Sequence, residues 1–141
     1  MKTIVLISCV KTKLAIATKA KDLYTSDLFR KNYQYALTLD PDMIFILSAK
    51  YGLLSPETMI EPYEMTLNTM KLADRKRWST IVLNELSKHT DLKNDKFVFL
   101  CGQKYREFLL SDMCNYEIPM EGLTNGRQKQ WLKEKLKNVR M

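Results

Sequence analysis

Three short apolar runs constrain this chain more than any other feature. KTIVLIS (Lys2–Ser8), MIFILSA (Met43–Ala49) and KFVFLC (Lys96–Cys101) are nearly continuous rather than alternating. Alternation marks a strand with one face in water, whereas unbroken runs of this length fit strands covered on both faces. Between them the apolar spacing becomes helical. Leu28, Phe29, Tyr33, Ala36 and Leu37 follow the N-cap candidates Thr25, Ser26 and Asp27, and Asp40-Pro41 closes that helix. A longer amphipathic helix is predicted from Lys71 to His89, with Trp78, Val82 and Leu86 on one side. Tyr105, Phe108 and Leu109 mark a short helix, and Arg127 to Val139 a closing one with Trp131, Leu132 and Leu136 inward. Cys9 to Lys21 reads as a polar loop, and Tyr116 to Met120 as a further strand. Strands alternating with helices predict a three-layer α/β domain, with a mainly parallel sheet of about four strands flanked by helices. The 141 residues suit one domain, 1–141, able to bury a core without disulfides.

Composition narrows the chemistry. No run approaches the ~18 apolar residues of a membrane span, and MKTIVLISCV is interrupted by Lys11 and Lys13 without a small-residue cleavage site. The expected location is the cytoplasm, with no membrane partner. Cys9, Cys101 and Cys114 are odd in number and form no CxxC pair, so neither a disulfide framework nor a zinc site is supported. His89 is the lone histidine, which argues against a Ser/His/Asp triad or a His-rich metal centre. No Walker loop or dinucleotide fingerprint occurs, and the expectation is no metal and no cofactor. The formal net charge of +7 is compatible with a polyanionic partner such as nucleic acid, or with a solvated lysine-rich surface. Much of that charge falls in two predicted helices, at Lys71, Arg75, Lys76 and Arg77 and again from Arg127 to Arg140.

Parallel α/β sheets bind ligands outside the carboxyl ends of their strands, so the segments after each strand carry the candidate site. After the first strand, Ser8, Cys9, Lys11 and Lys13 offer a hydroxyl, a thiol and two ammonium groups for a phosphate or a base edge. The alternative is a small buried cysteine with exposed lysines. In LYTSDLF, Tyr24 is placed to stack on a base, and Ser26 either caps the helix or helps to form an anion site. The longest such segment is LSAKYGLLSPETMIEPYEMTL, from Leu47 to Leu67, which reads as an irregular loop of about twenty residues, and loops of that length are often functional. It supplies Ser48, Lys50, Tyr51, Gly52 and Tyr63 as ligand contacts, Gly52 permitting a positive φ. Glu57, Glu61 and Glu64 are its carboxylates, candidates for acid–base work or for a ribose hydroxyl, or simply solvated acids. Pro62-Tyr63 restrains the backbone beside Glu64, which makes Glu64 the first catalytic candidate and Glu61 the second. Gly102 follows the third strand. In EGLTNGRQKQW, Thr124 or Asn125 caps the last helix, and Arg127, unfavourable in a first turn, is offset by an anion or a neighbour such as Glu121, or is simply solvent-exposed.

Taken in order, ISCVKTK, LYTSDLF, LSAKYGLL…EPYEMTL and EGLTNGRQKQWL resemble a family of small bacterial and phage domains of uncharacterised function, over nearly the whole chain. The stretch is also similar to a domain of archaeosine synthase with an SA-x-YGL…YD pattern, and more distantly to base-handling proteins such as DNA glycosylases. That resemblance implies recognition of a nucleobase, nucleoside, nucleotide or modified base in nucleic acid, with cleavage or exchange at the N-glycosidic bond. The family position after Pro-Tyr is more often Asp, and here it is Glu64. The chemistry is compatible. A carboxylate near the anomeric carbon stabilises the developing positive charge, with aromatic rings holding the base and Lys11, Lys13 or Arg127 the phosphate. Two rival expectations stand beside it: a non-catalytic nucleotide- or nucleic-acid-binding module acting as a sensor, and an interaction protein whose charge only confers solubility.

Overall fold

A computed structural model describes residues 1–8, 16–24 and 26–139. The first apolar run is β1 (Thr3–Ser8), the second β3 (Met43–Ser48) and the third β6 (Lys96–Leu100). β1 is buried on both faces, Ile4, Val5, Leu6 and Ile7 having no exposed surface, β6 is buried from Phe97 on, and β3 is buried from Ile46 on with Met43, Ile44 and Phe45 half-buried. The remaining elements are β2 (Thr18–Lys19), α1 (Ala20–Leu23), α2 (Asp27–Thr38), β4 (Gly52–Leu54), β5 (Met59–Ile60), α3 (Leu72–Ser87), α4 (Gln103–Arg106), β7 (Tyr116–Glu117) and α5 (Asn125–Val139). Two single 3-10 turns lie at Leu67–Thr69 and Leu110–Asp112.

The main sheet has five strands in the order β4-β3-β1-β6-β7. β1 lies parallel to β3 on one side and to β6 on the other, and β7 continues the parallel set beyond β6. The chain therefore steps outward from β1 to β3, then returns past β1 to β6. Right-handed crossovers in opposite directions put their helices on opposite faces. α2 packs on β1 and on α5, while α3 packs on β4. The result is the predicted three-layer α/β domain.

Several expectations change in detail. The sheet gains a fifth, antiparallel strand because Gly52, at φ +76°, turns the chain back so that Leu53 pairs with Leu47 and Leu54 with Ile46. The long loop is thus not irregular throughout, and its Met59–Ile60 also pairs with Thr18–Lys19. That pairing overturns the reading of the segment up to Lys21 as a polar loop, since Ala20 and Leu23 behind it are fully buried. The fourth parallel strand is only Tyr116–Glu117, with Pro119 lacking the N–H a longer ladder would need.

The amino ends of the strands are closed by carboxylates. Asp42 Oδ2 accepts from Thr3 N at 2.7 Å, and Asp95 accepts from Lys2 N and Asp91 N, each at 2.8 Å. The carboxyl ends are closed differently, and that difference defines the candidate site.

Candidate functional site at the carboxyl edge of the sheet

Ser48 ends β3 with its side chain wholly buried. Its Oγ accepts from Tyr51 N at 3.0 Å and donates to Tyr63 Oη at 2.8 Å. Tyr63 Oη in turn lies 2.6 Å from Tyr24 Oη. The Tyr63 ring meets the rings of both Tyr24 and Tyr51 edge-on. The backbone of Ser48 is used as well: Trp78 Nε1 of α3 donates to Ser48 O at 2.8 Å. Tyr24, Ser48, Tyr51 and Tyr63 thus form one cluster from three separate stretches of sequence. A buried hydroxyl network of this kind is stabilising only while every member is paired.

Tyr24 is 1% exposed and packs on Phe29, and Tyr63 is 7% exposed. Both rings are part of the core, so Tyr24 is not the open stacking platform expected of it. Tyr51 is partly exposed, with Lys50 Nζ 5.3 Å from its ring centre and its hydroxyl 3.4 Å from Glu61 O. Ser8, at the end of β1, is buried. Cys9, Lys11, Lys13 and the N-cap candidate Thr25 lie outside the described residues. Ser26 takes the plain capping role, its Oγ accepting from Phe29 N at 3.1 Å.

The carboxylates divide into two kinds. Glu57 is clasped by Lys19 and Lys21, each at 2.9 Å, and the Lys19 and Lys21 hydrogen bonds hold its carboxyl below the usual range. It fastens the long loop to β2 and α1. Glu61 and Glu64 are exposed and flank Pro62-Tyr63. Leu67, four residues beyond Tyr63, is fully buried, and its N–H lies 3.4 Å from Tyr105 Oη of α4. Lys104 Nζ adds a bond to Asn68 O at 3.0 Å. The Glu61–Asn68 stretch therefore runs from an anchor on β3 to an anchor on the helix that follows β6. β1 lies between those two strands in the sheet, and Glu64 lies between the two anchors.

Beyond β6 the edge opens into a cleft of about 300 Å³. Phe99, Ile118, Met120 and Leu123 form apolar walls, and Gly102, Gln103, Arg106, Thr124 and Gln128 add polar groups. Cys101 also lines it, and burial pushes its thiol up to about 12, so it is neutral there rather than a thiolate. Thr124 caps α5, its Oγ1 accepting from Arg127 N at 3.3 Å. Glu121 and Arg127 are exposed. Of the two basic helices, α3 spends Arg75 internally, on an ion pair with Glu107 and over the Phe108 ring. On α5, Lys129, Lys133 and Lys137 recur at every fourth position and are exposed. Among the described residues, no group of three or more His, Cys, Asp or Glu could hold a metal ion, and no helix is long and apolar enough to cross a membrane.

Ser48, Tyr51 and Tyr63, which the sequence places on one loop at this edge, are joined through the Ser48 hydroxyl. The sequence also places CGQKY at this edge, but neither Arg106 nor the anchor Tyr105 is among its candidate residues. The available signal was the position of CGQKYR directly after a buried strand, which puts a helix's side chains at the carboxyl edge.

Residues 4–134 match the model of a family of unknown function, DUF6884. The chain belongs to this family. The match takes in every element from β1 into α5, so the DUF6884 signature covers the whole sheet and both edges just described. A curated relative, UPF0246 protein RC0754 of Rickettsia conorii (strain ATCC VR-613 / Malish 7), is 26% identical over 113 residues. The alignment takes 77% of this chain but only 45% of that protein, so the chain spans less than half the length of the relative it matches.

Proposed function

We propose that this chain recognises a nucleobase-containing ligand at the carboxyl edge of its sheet, as an enzyme acting on the N-glycosidic bond of a nucleoside, nucleotide or modified nucleic acid. The observation that carries this reading is the anchored stretch between Tyr63 and Leu67. Two buried side chains fix the backbone on either side of Glu64, and the parallel strand order changes direction beside β1, where doubly wound sheets bind their ligands. Glycosidic cleavage needs little else from the protein than a positioned carboxylate for the oxocarbenium-like charge and a hold on the leaving base. A ligand seated over Glu64 and Glu61 would remove them from water and strengthen that interaction. The resemblance to the archaeosine synthase domain and to base-handling proteins points the same way.

The test is base release from a panel of nucleosides, nucleotides and oligonucleotides by wild type, Glu64→Gln and Glu61→Gln, with melting temperatures recorded. Losing one electrostatic stabiliser of the transition state should lower turnover about a hundredfold or more, while ligand binding survives. Binding without release by the wild type would replace this reading with a non-catalytic nucleotide or nucleic-acid sensor.

A further inference from the structure

The cleft beside α5 has two polar groups whose orientation is settled by their protein partners. Gln128 lies in the first turns of α5 and its Nε2 is 2.9 Å from Leu123 O. A carbonyl oxygen only accepts, so the amide nitrogen must face it and Oε1 is left as the side chain's acceptor on the other side. Arg106, at the end of α4, donates Nη1 to Cys101 O at 2.8 Å. That bond holds the planar guanidinium against the end of β6 and uses one of its five N–H donors. Phe99 and Met120, both buried, supply apolar surface in the same cleft.

A held acceptor, a held donor fork and apolar walls in one concavity have a definite complement. It is a flat, largely apolar ring that carries an N–H donor next to an acceptor, as the edge of a lactam does. The volume of about 300 Å³ lies at the small end of the range for ligand sites, room for one ring system rather than a linked pair. We infer that this cleft is the heterocycle subsite, taking a lactam-type base whose ring N–H is received by Gln128 and whose carbonyl is held by Arg106. The inference rests on the nucleobase reading above and narrows it to one class of base edge. A lactam methylated at that ring nitrogen leaves the Gln128 acceptor without a ligand donor, and a site built for a hydrogen bond discriminates strongly against ligands that lack it.

The experiment is titration calorimetry of the full chain with uridine and inosine, and with N3-methyluridine and N1-methylinosine, which differ only by a methyl on the relevant nitrogen. Adenosine is the ligand lacking the lactam altogether. Gln128→Met removes the acceptor at nearly constant volume, and Gln128→Glu keeps an acceptor. The expected result is binding of the two parent nucleosides, loss of about tenfold or more in affinity on N-methylation, and a similar loss in Gln128→Met. Equal affinity for parent and methylated nucleosides overturns the subsite, and needs no variant to fold. So does undiminished lactam binding by Gln128→Met. Adenosine bound in preference to uridine and inosine overturns the subsite but keeps the nucleobase reading, and no nucleoside bound at all overturns the subsite while the nucleobase reading stands or falls on base release from nucleotides and oligonucleotides.

Discussion

Ser48 and Tyr63, fifteen residues apart, are joined by a buried 2.8 Å hydrogen bond in which the serine hydroxyl donates and the tyrosine hydroxyl accepts. This bond decides how the long segment after β3 is held. Removing Tyr63 Oη takes a partner from Ser48 and from Tyr24 at once, both of them buried. Tyr63→Phe should therefore lower the unfolding free energy by about 1–3 kcal/mol. Tyr51→Phe, whose hydroxyl makes only a long contact at a partly exposed site, should be close to neutral. Urea unfolding of the two variants measures the contrast, and equal losses would show that the cluster is not cooperative in the way described.

Gly52 occupies the left-handed region, where a side chain costs about 1–2 kcal/mol. An added Cβ would also approach Glu85 Oε1 to 3.0 Å, but that is the movable end of a flexible side chain. Gly52→Ala should be destabilising by about that backbone cost, and Glu85→Ala in the same background should recover little of it. Recovery of most of the stability would mean that the contact, rather than φ, sets the cost.

Asp95 is held below the usual carboxylate range, first by the Asp91 N–H and then by the Lys2 N–H. Because its folded pKa is depressed, its contribution is fully present above the ordinary value of 3.8 and is lost as pH falls below that through the lowered folded value. Asp95→Asn should thus be less stable than wild type at pH 7, with the gap narrowing by pH 3. Parallel unfolding curves at the two pH values provide the check, and a gap that widens on acidification would contradict the assignment.

Lys129, Lys133 and Lys137 form a row of like charges along the exposed side of α5, an arrangement that is mildly unfavourable in isolation. If a nucleic-acid backbone lies along that row, replacing the three by Gln should reduce the slope of log affinity against log salt by about 2–3 for a duplex. Fluorescence anisotropy with labelled single and double strands tests this. An unchanged slope would assign the row to solvation, whereas salt-insensitive binding, or none, by the wild type would favour a small free ligand.

Much of the fold was legible because burial on both faces leaves a plain trace: the runs around Ile4–Ile7, Ile44–Leu47 and Phe97–Leu100 contain almost nothing but apolar residues. The helix boundaries followed from Ser26 and Thr124, whose hydroxyls do cap. What was not legible depends on contacts between distant segments. Met59–Ile60 has no strand signature of its own and is a strand only because Thr18–Lys19 lies opposite. Tyr24 and Tyr63 looked like ligand platforms because tyrosine suits both stacking and burial, and it is their near-complete burial, with the hydroxyls 2.6 Å apart, that places them in the core. Arg106 and Gln128 were obscure for a related reason, since their bonds are to backbone carbonyls that no sequence pattern reveals.

The central position of β1 has a consequence for how the molecule is made. Its two neighbours lie roughly 40 and 93 residues further along the chain, as the pairings Ile4↔Met43 and Thr3↔Lys96 show. Until Lys96–Leu100 has docked, one ladder edge of the most deeply buried strand is unsatisfied. Pairings this remote in sequence close slowly, and exposed strand edges associate with one another in the meantime. The stretch that ends as the best-buried part of the sheet is thus the one that waits on a partner 93 residues away.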